Sequence, residues 1–280
     1  MLSNKTKGLI EMVTTTLIWG SIPILSVISN LSSGVFVFFR VVFAFPFILY
    51  LLHKKEGIKS FLNIKPFKYL FLSGLFLSIN WVLFFFAIDI AGVNLAVIIY
   101  YSGPIFSIML AVLFLKEPFS KKLIISILLV IVGVILSVGG VDNFNKGAFI
   151  ALLAAISYGL LGFFSKLATL NHSSYKVTAW QIFISIFLTA PFLYFEDFNL
   201  TLYTLLIVVV AGVVHTALAL FLWYDSLNYI PLSLAGVLAY LDIFFTMILS
   251  WIFLAEVPTI EQIIGSILIV IAGVVVTLKS

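Results

Sequence analysis

Residues 123–136 read LIISILLVIVGVIL, a stretch that presents no polar face to water in any regular conformation. Scanned with a window of about 19 residues, the chain contains about ten such segments. They lie near 8–28, 34–52, 66–88, 93–115, 122–139, 147–166, 174–194, 201–224, 231–254 and 260–278. Each is about the length an α-helix needs to cross the hydrocarbon of a bilayer. Strands of a membrane barrel would alternate apolar and polar residues, and these segments do not. The expected fold is therefore all-α and integral to the membrane, with ten transmembrane helices. The first segment carries Glu11 near its start and lacks a small-residue cleavage site, so it reads as a retained span and not as a signal peptide.

Composition agrees. Of the 280 residues, 63% are hydrophobic and 9% charged, whereas a soluble domain carries about 25% charged residues. Such a chain cannot cover its outside with water-compatible side chains. Cysteine is absent, which removes disulfides, thiolate chemistry and cysteine-ligated metals. The net charge of +4 comes from lysines in loops, a sign of topology and not of a nucleic-acid partner.

With the N-terminus inside, the cytoplasmic segments hold Lys5, Lys7, Lys54, Lys55, Lys59, Lys65, Lys68, Lys116, Lys121, Lys122, Lys166, Lys176 and Lys279, and the outer side keeps Lys146. This positive-inside asymmetry places both termini in the cytoplasm of a multi-pass cell-membrane protein. Arg40, the sole arginine, falls within the second span, two turns from the outer face. It is expected to snorkel to headgroups, with anion binding as the alternative.

The chain also repeats itself at an offset of 139. Lys7 and Gly8 recur as Lys146 and Gly147, Gly20 as Gly159, Ala96 as Ala235, Tyr101 as Tyr240 and Glu117 as Glu256. After one inserted residue, Ser126 maps to Ser266 and Gly133 to Gly273. Residues 1–140 and 141–280 thus form two five-helix repeats, and an odd number of spans inverts the second. Loop charges flip accordingly: HKKEGIKSFLNIK and KEPFSKK are basic, while the loop near Glu196 and Asp197 and the segment AEVPTIE contain no lysine. Inverted repeats favour a transporter with a site between the halves.

Several segments carry a family likeness: LIWGSIPIL, FFRVVFAFPFIL, INWVLFFFAIDIAGVNLAVIIYYSGPIFSIMLAVLFLKEPFS and LAGVLAYLDIFFTMILSWIFLAEVPT. In order and length the chain resembles the EamA branch of the drug/metabolite transporter superfamily. The resemblance implies two five-helix bundles around a central cavity and movement of small organic metabolites. The second half departs from the pattern, with Tyr158 in place of Trp19 and Trp180 or Gln181 near the position of Arg40.

Helix breakers mark candidate hinges: Pro23 and its counterpart Gly162, and Gly103 with Pro104 beside Ser102. Pro104 is expected to free the Tyr100 carbonyl four residues earlier. Asp242, placed opposite Gly103 by the repeat, is the carboxylate nearest the membrane midplane. It costs about 3 kcal/mol or more there unless it faces water, a partner or a proton, so it either protonates, pairs with a substrate cation, or ties helices together. His215 in the eighth span titrates near neutral pH, and it either serves the substrate or is a satisfied interhelical donor. Asn80, Tyr100, Trp19, Trp81, Tyr101, Tyr158 and Tyr240 complete the candidate substrate-binding set, with aromatic surfaces that carry a hydrogen-bonding edge.

Ser126, Gly133 and Ser137, with Ser266, Gly273 and Thr277, read as packing or dimer faces, compatible with a monomer or a homodimer. Glu117 and Glu256 read as loop-fixing carboxylates ahead of the fifth and tenth spans. The chain lacks a phosphate-binding GxxxxGK[ST] loop. A secondary transporter of amino-acid-like or other partly apolar solutes fits best, without cofactor or metal, and with the proton as a candidate coupling ion. The rivals are a flippase of a lipid-linked intermediate and an intramembrane enzyme built on His215 and Asp242.

Overall fold

In lipid every backbone amide must find its partner within the chain, and runs of this length satisfy that condition only as helices. The computed structural model describes residues 3–91, 96, 99–138, 146–255 and 257–277, and among them there is no strand. Glu256 and Lys279 lie outside the described residues, as do the side chains of Pro23, Asp89, Ser137 and Thr277 and part of the segment that begins near 93.

The first half contains α1 (Asn4–Gly20), α2 (Ile22–Ser29), α3 (Ser33–Glu56), the short α4 (Lys59–Leu62), α5 (Phe67–Ala91), α6 (Gly103–Phe114) and α7 (Lys121–Val138). The second contains α8 (Lys146–Thr169), α9 (Ser174–Thr189), the short α10 (Phe192–Phe195), α11 (Leu202–Gly212), a π-helical stretch Val213–Leu218, α12 (Ala219–Ser226), α13 (Leu232–Ala239), α14 (Leu241–Leu254) and α15 (Ile260–Thr277). Seven helical stretches among the described residues are long and apolar enough to cross a membrane: Asn4–Ser29, Gly34–Glu56, Phe67–Phe84, Lys146–Thr169, Ser174–Phe195, Leu202–Ser226 and Leu232–Phe253.

Local chemistry explains where the ends depart from expectation. α3 runs on to Glu56 because His53, Lys54 and Lys55 fill its last turn, where cations complement the helix dipole. The seventh segment, expected at 174–194, stops at Thr189 and restarts after Pro191, which has no N–H to continue the ladder.

Three further breaks stand beside the centre of the molecule. The first segment is interrupted at Ser21, with a proline in the opening turn of α2. α6 starts afresh at Gly103 after a turn through Tyr101 and Ser102, and α13 and α14 are separated at Tyr240. The chain leaves α6 through Lys116 at φ 55° and leaves α14 through Ala255 at φ 56°, a left-handed geometry uncommon for residues with a side chain. Gly162 lies inside the unbroken α8.

The strongest packing joins one half to the other. α5 lies on α8 and α1 on α12; α6 lies on α8 and α1 on α14; α3 meets α9, α6 meets α13, and α7 meets α15. In the α7–α15 pair, a Cβ on Gly133 would come within 2.7 Å of the Gly265 carbonyl, and Ser126 Oγ donates to the Ala272 carbonyl at 2.9 Å. These small residues therefore pack within the chain.

Candidate functional site

Where the broken helices meet, a cavity opens between the halves whose empty space, its open mouth included, is about 880 Å³. Trp19 and Ile22 enter it from α1 and α2, Arg40 from α3, and Leu77, Asn80 and Trp81 from α5. The opposite wall has Tyr158, Leu161 and Gly162 from α8, Leu220, Trp223 and Tyr224 from α12, and Ala239, Tyr240 and Asp242 around the α13–α14 break. Tyr100, Tyr101 and Pro104 complete it at the start of α6.

The aromatic wall is held by specific bonds. Tyr100 donates its hydroxyl to Asn80 Oδ1 at 3.0 Å, and Asn80 Nδ2 donates to the Ala154 carbonyl at 2.9 Å, so α5, α8 and the start of α6 are tied at one point. The Tyr100 and Tyr158 rings meet edge to face at 5.8 Å. At the α6 break, Ile105 N–H bonds to the Ser102 carbonyl in a tighter turn. Side chains take up two carbonyls there: that of Tyr101 accepts from the Tyr240 hydroxyl, and that of Ile99 from Ser102 Oγ at 2.6 Å. Gly103 itself lies outside the cavity wall and packs on Tyr158, whereas Gly162 admits Ser107 closely, since a Cβ there would stand 2.7 Å from Ser107 Oγ.

Two ionisable side chains of opposite sign, Asp242 and Arg40, face this cavity. Asp242 sits in the first turn of α14, where free amides and the helix dipole favour an anion. Its Oδ1 is buried without a hydrogen-bond partner. Arg40 is only 7% exposed, which corrects the expected snorkelling to headgroups. Its Nε donates to Thr216 Oγ1 at 2.7 Å, its Nη2 to the His215 carbonyl at 3.3 Å, and its guanidinium lies 5.2 Å from the centre of the Trp81 ring. The ion pairs that Lys7 makes with Glu11 and Asp225 do not reach Arg40, which has no carboxylate partner among the described residues.

His215 departs from the expected pattern. Its imidazole is not among the cavity-lining groups: Nε2 contacts Ser21 Oγ at 2.8 Å and Nδ1 faces the Val210 carbonyl at 3.4 Å. What it contributes is a carbonyl, which accepts from both Trp19 Nε1 at 3.2 Å and Arg40. The π-helical stretch makes this possible, because one extra residue in the turn shifts the ladder and leaves carbonyls open to side chains. Thr216 Oγ1 donates to the Ala211 carbonyl five residues back.

Glu117 also differs from its expected place. Both carboxylate oxygens accept at 2.8 Å from the N–H groups of Leu232 and Ser233. It therefore caps α13 across the molecule and not the nearby α7, because the left-handed Lys116 reverses the chain toward α13. Among the described residues no three His, Asp or Glu side chains converge as metal ligands.

The sequence signature of the EamA-like transporter family matches residues 6–139 and again residues 145–278. The chain belongs to that family. Within it, the chain is 27% identical to the uncharacterized transporter YxxF of Bacillus subtilis (strain 168), over 98% of this chain and 90% of that one. It is 24% identical to the S-adenosylmethionine uptake transporter of Rickettsia bellii (strain RML369-C), covering 83% of this chain and 78% of the other. A solved crystal structure superposes with a TM-score of 0.81 at 16% identity, covering 97% of this chain and 96% of its own, a likeness of fold. An EamA-like transporter with seven helices long and apolar enough to span is a multi-pass membrane protein that moves a small molecule.

Sequence reasoning placed Arg40 at the headgroups, with anion binding as the alternative, and passed over Trp223 and Tyr224. The cost of burying a charge, applied to Asp242, applies equally to Arg40, and that signal was available. Trp223 packs its ring at a tilt against Trp19, 5.2 Å between centres, and Tyr224 donates to buried Gln181; neither has a local motif.

Proposed function

We propose that this EamA-like protein is a secondary transporter that carries a small amphoteric solute with an aromatic or apolar body across the cytoplasmic membrane by alternating access. The observation that carries this reading is a central cavity lined by aromatic rings and bearing two ionisable side chains of opposite sign, Arg40 and Asp242, neither paired with the other sign among the described residues. A solute with a carboxylate and a cationic group supplies what each lacks, and the rings of Trp19, Trp81, Tyr101 and Tyr158 accept its flat surface. The Rickettsia relative is named for S-adenosylmethionine, which has this chemical character.

Alternating access is read as ten spans in two inverted five-helix repeats, with both termini cytoplasmic. Three features support it. The breaks at Tyr101 and Tyr240 and the left-handed Lys116 and Ala255 each stand 139 residues apart. The helix pairings exchange with each other when each first-half span is replaced by its second-half counterpart. The family signature occurs once in each half. In such proteins the site sits at the repeat interface and the halves rock about it.

A thermal-shift screen of the purified protein against amino acids, nucleosides, sugars and organic cations tests the solute class. The expected result is stabilisation by an amphoteric aromatic solute, lost in Arg40→Gln and in Asp242→Asn. Stabilisation only by uncharged sugars, or by lipid alone, overturns it.

A further inference from the structure

Two turns along α1 from Trp19, roughly 12 Å toward the N-terminus, stands a cluster of ionisable groups with no part in the solute site. Glu11 on α1 is 9% exposed. Asp225 on α12 directly follows Trp223 and Tyr224 of the cavity wall. Lys7 Nζ lies 2.9 Å from Asp225 Oδ2 and 3.4 Å from Glu11 Oε1, and donates to the Tyr229 hydroxyl at 2.6 Å. Asp225 Oδ1 accepts from Ser174 Oγ at 2.9 Å, and Ser174 Oγ accepts from Asn228 Nδ2 at 3.1 Å. Both Asp225 oxygens thus have donors. Glu11 Oε2, by contrast, is buried and meets none, although the Glu11 and Asp225 carboxyl groups are brought together on the one Lys7 ammonium.

Two ionised carboxylates are both acceptors and cannot bond to one another. With Lys7 as the cation bonded to both, the fully ionised cluster would carry a net negative charge on two carboxylates largely shielded from water, beside a half-exposed lysine. One proton removes both difficulties: protonated Glu11 becomes a donor to Asp225, and the remaining Asp225 and Lys7 charges balance. The other ionisable groups nearby do not supply that balance. The Tyr229 hydroxyl accepts from Lys7, and the Tyr175 ring on α9 stacks on Phe221. Lys166 on α8 is engaged with the Leu227 and Ile230 carbonyls. On α13 and α14, Tyr240 and Asp242 both stand at the cavity.

We propose that Glu11 and Asp225 form a proton-binding site in the seam between α1 and α12, and that its occupancy decides whether this end of the cavity is closed. The proposal rests on the transport reading for the cavity it guards. With the proton bound, the seam is neutral and bonded across. With the proton lost, two carboxylates repel across it, and α1 and α12 separate beside Trp19 and Trp223.

Two measurements on the purified full chain test this, with the proton as the probe. Infrared titration is expected to show a carbonyl stretch from a protonated carboxyl at neutral pH, lost in Glu11→Gln, shifted in Asp225→Asn and kept in Asp242→Asn. A band unchanged by Glu11→Gln overturns the site. The chain has no native cysteine, so Ala239→Cys places a single thiol in the cavity wall for maleimide labelling. Labelling corrected for thiol ionisation is expected to quicken severalfold as pH rises, and to become pH-independent when Glu11→Gln or Asp225→Asn is added. The same pH profile with and without those changes overturns the coupling to closure. Both measurements proceed without solute, so a failed solute screen beside a positive titration counts against the transport reading alone.

Discussion

Removing the Glu117 side chain strips the acceptors from the two N–H groups that open α13. Pro231 stands at the cap position and has no side-chain acceptor of its own, so in Glu117→Ala the amides of Leu232 and Ser233 must turn to water or go unpaired. Both bonds are 2.8 Å long and charge-assisted, and such bonds contribute about 1.5–3 kcal/mol each. Because the site is only partly buried, water recovers some of that, leaving a net loss of about 2–3 kcal/mol for the pair. For a chain of this size that corresponds to a fall in Tm of roughly 3–5 °C. Glu117→Gln keeps one acceptor and is expected to fall about half as far. Thermal unfolding of the detergent-purified variants reads this directly. If Glu117→Ala melts within about 1 °C of the parent, the carboxylate does not hold the two halves together and the reasoning fails.

Two further substitutions probe the cavity wall. Gly162→Ala drives a methyl against Ser107 Oγ, 2.7 Å away, and is expected to cost about 1–3 kcal/mol. Adding Ser107→Ala removes the clashing hydroxyl, which is itself buried without a partner, so the double variant should recover most of the loss in a thermal melt; additive losses would show that the contact is absent. Tyr240→Phe leaves the Tyr101 carbonyl without its donor and is expected to destabilise by about 1–3 kcal/mol, with a neutral result showing that this bond between the two breaks carries no weight.

Most of the fold is legible in the chain because apolar length and loop charge are local quantities. The breaks around Tyr101 and Tyr240 were visible for a similar reason, since Gly103 and Pro104 mark one and the repeat points to the other. The π-helical stretch at His215 was not, because VVHTAL contains no breaker and continues the apolar pattern. That single extra residue decides that the carbonyl of His215, and not its ring, reaches Arg40. Glu117 was misplaced because its partners lie more than a hundred positions away on α13, beyond any local helix-capping rule. Arg40 was visible as a buried charge, but a long side chain near a span end can equally reach the headgroups, and only tertiary packing against Thr216 and Trp81 decides between them.

The central claim concerns the solute that bridges Arg40 and Asp242, and it is tested most directly by counterflow in proteoliposomes. The amphoteric solute that gives the largest melting shift is loaded inside and its labelled form is supplied outside. The parent protein is expected to show a transient overshoot of label, and Arg40→Gln and Asp242→Asn are each expected to lose it while remaining folded. Undiminished counterflow in both variants would contradict the account.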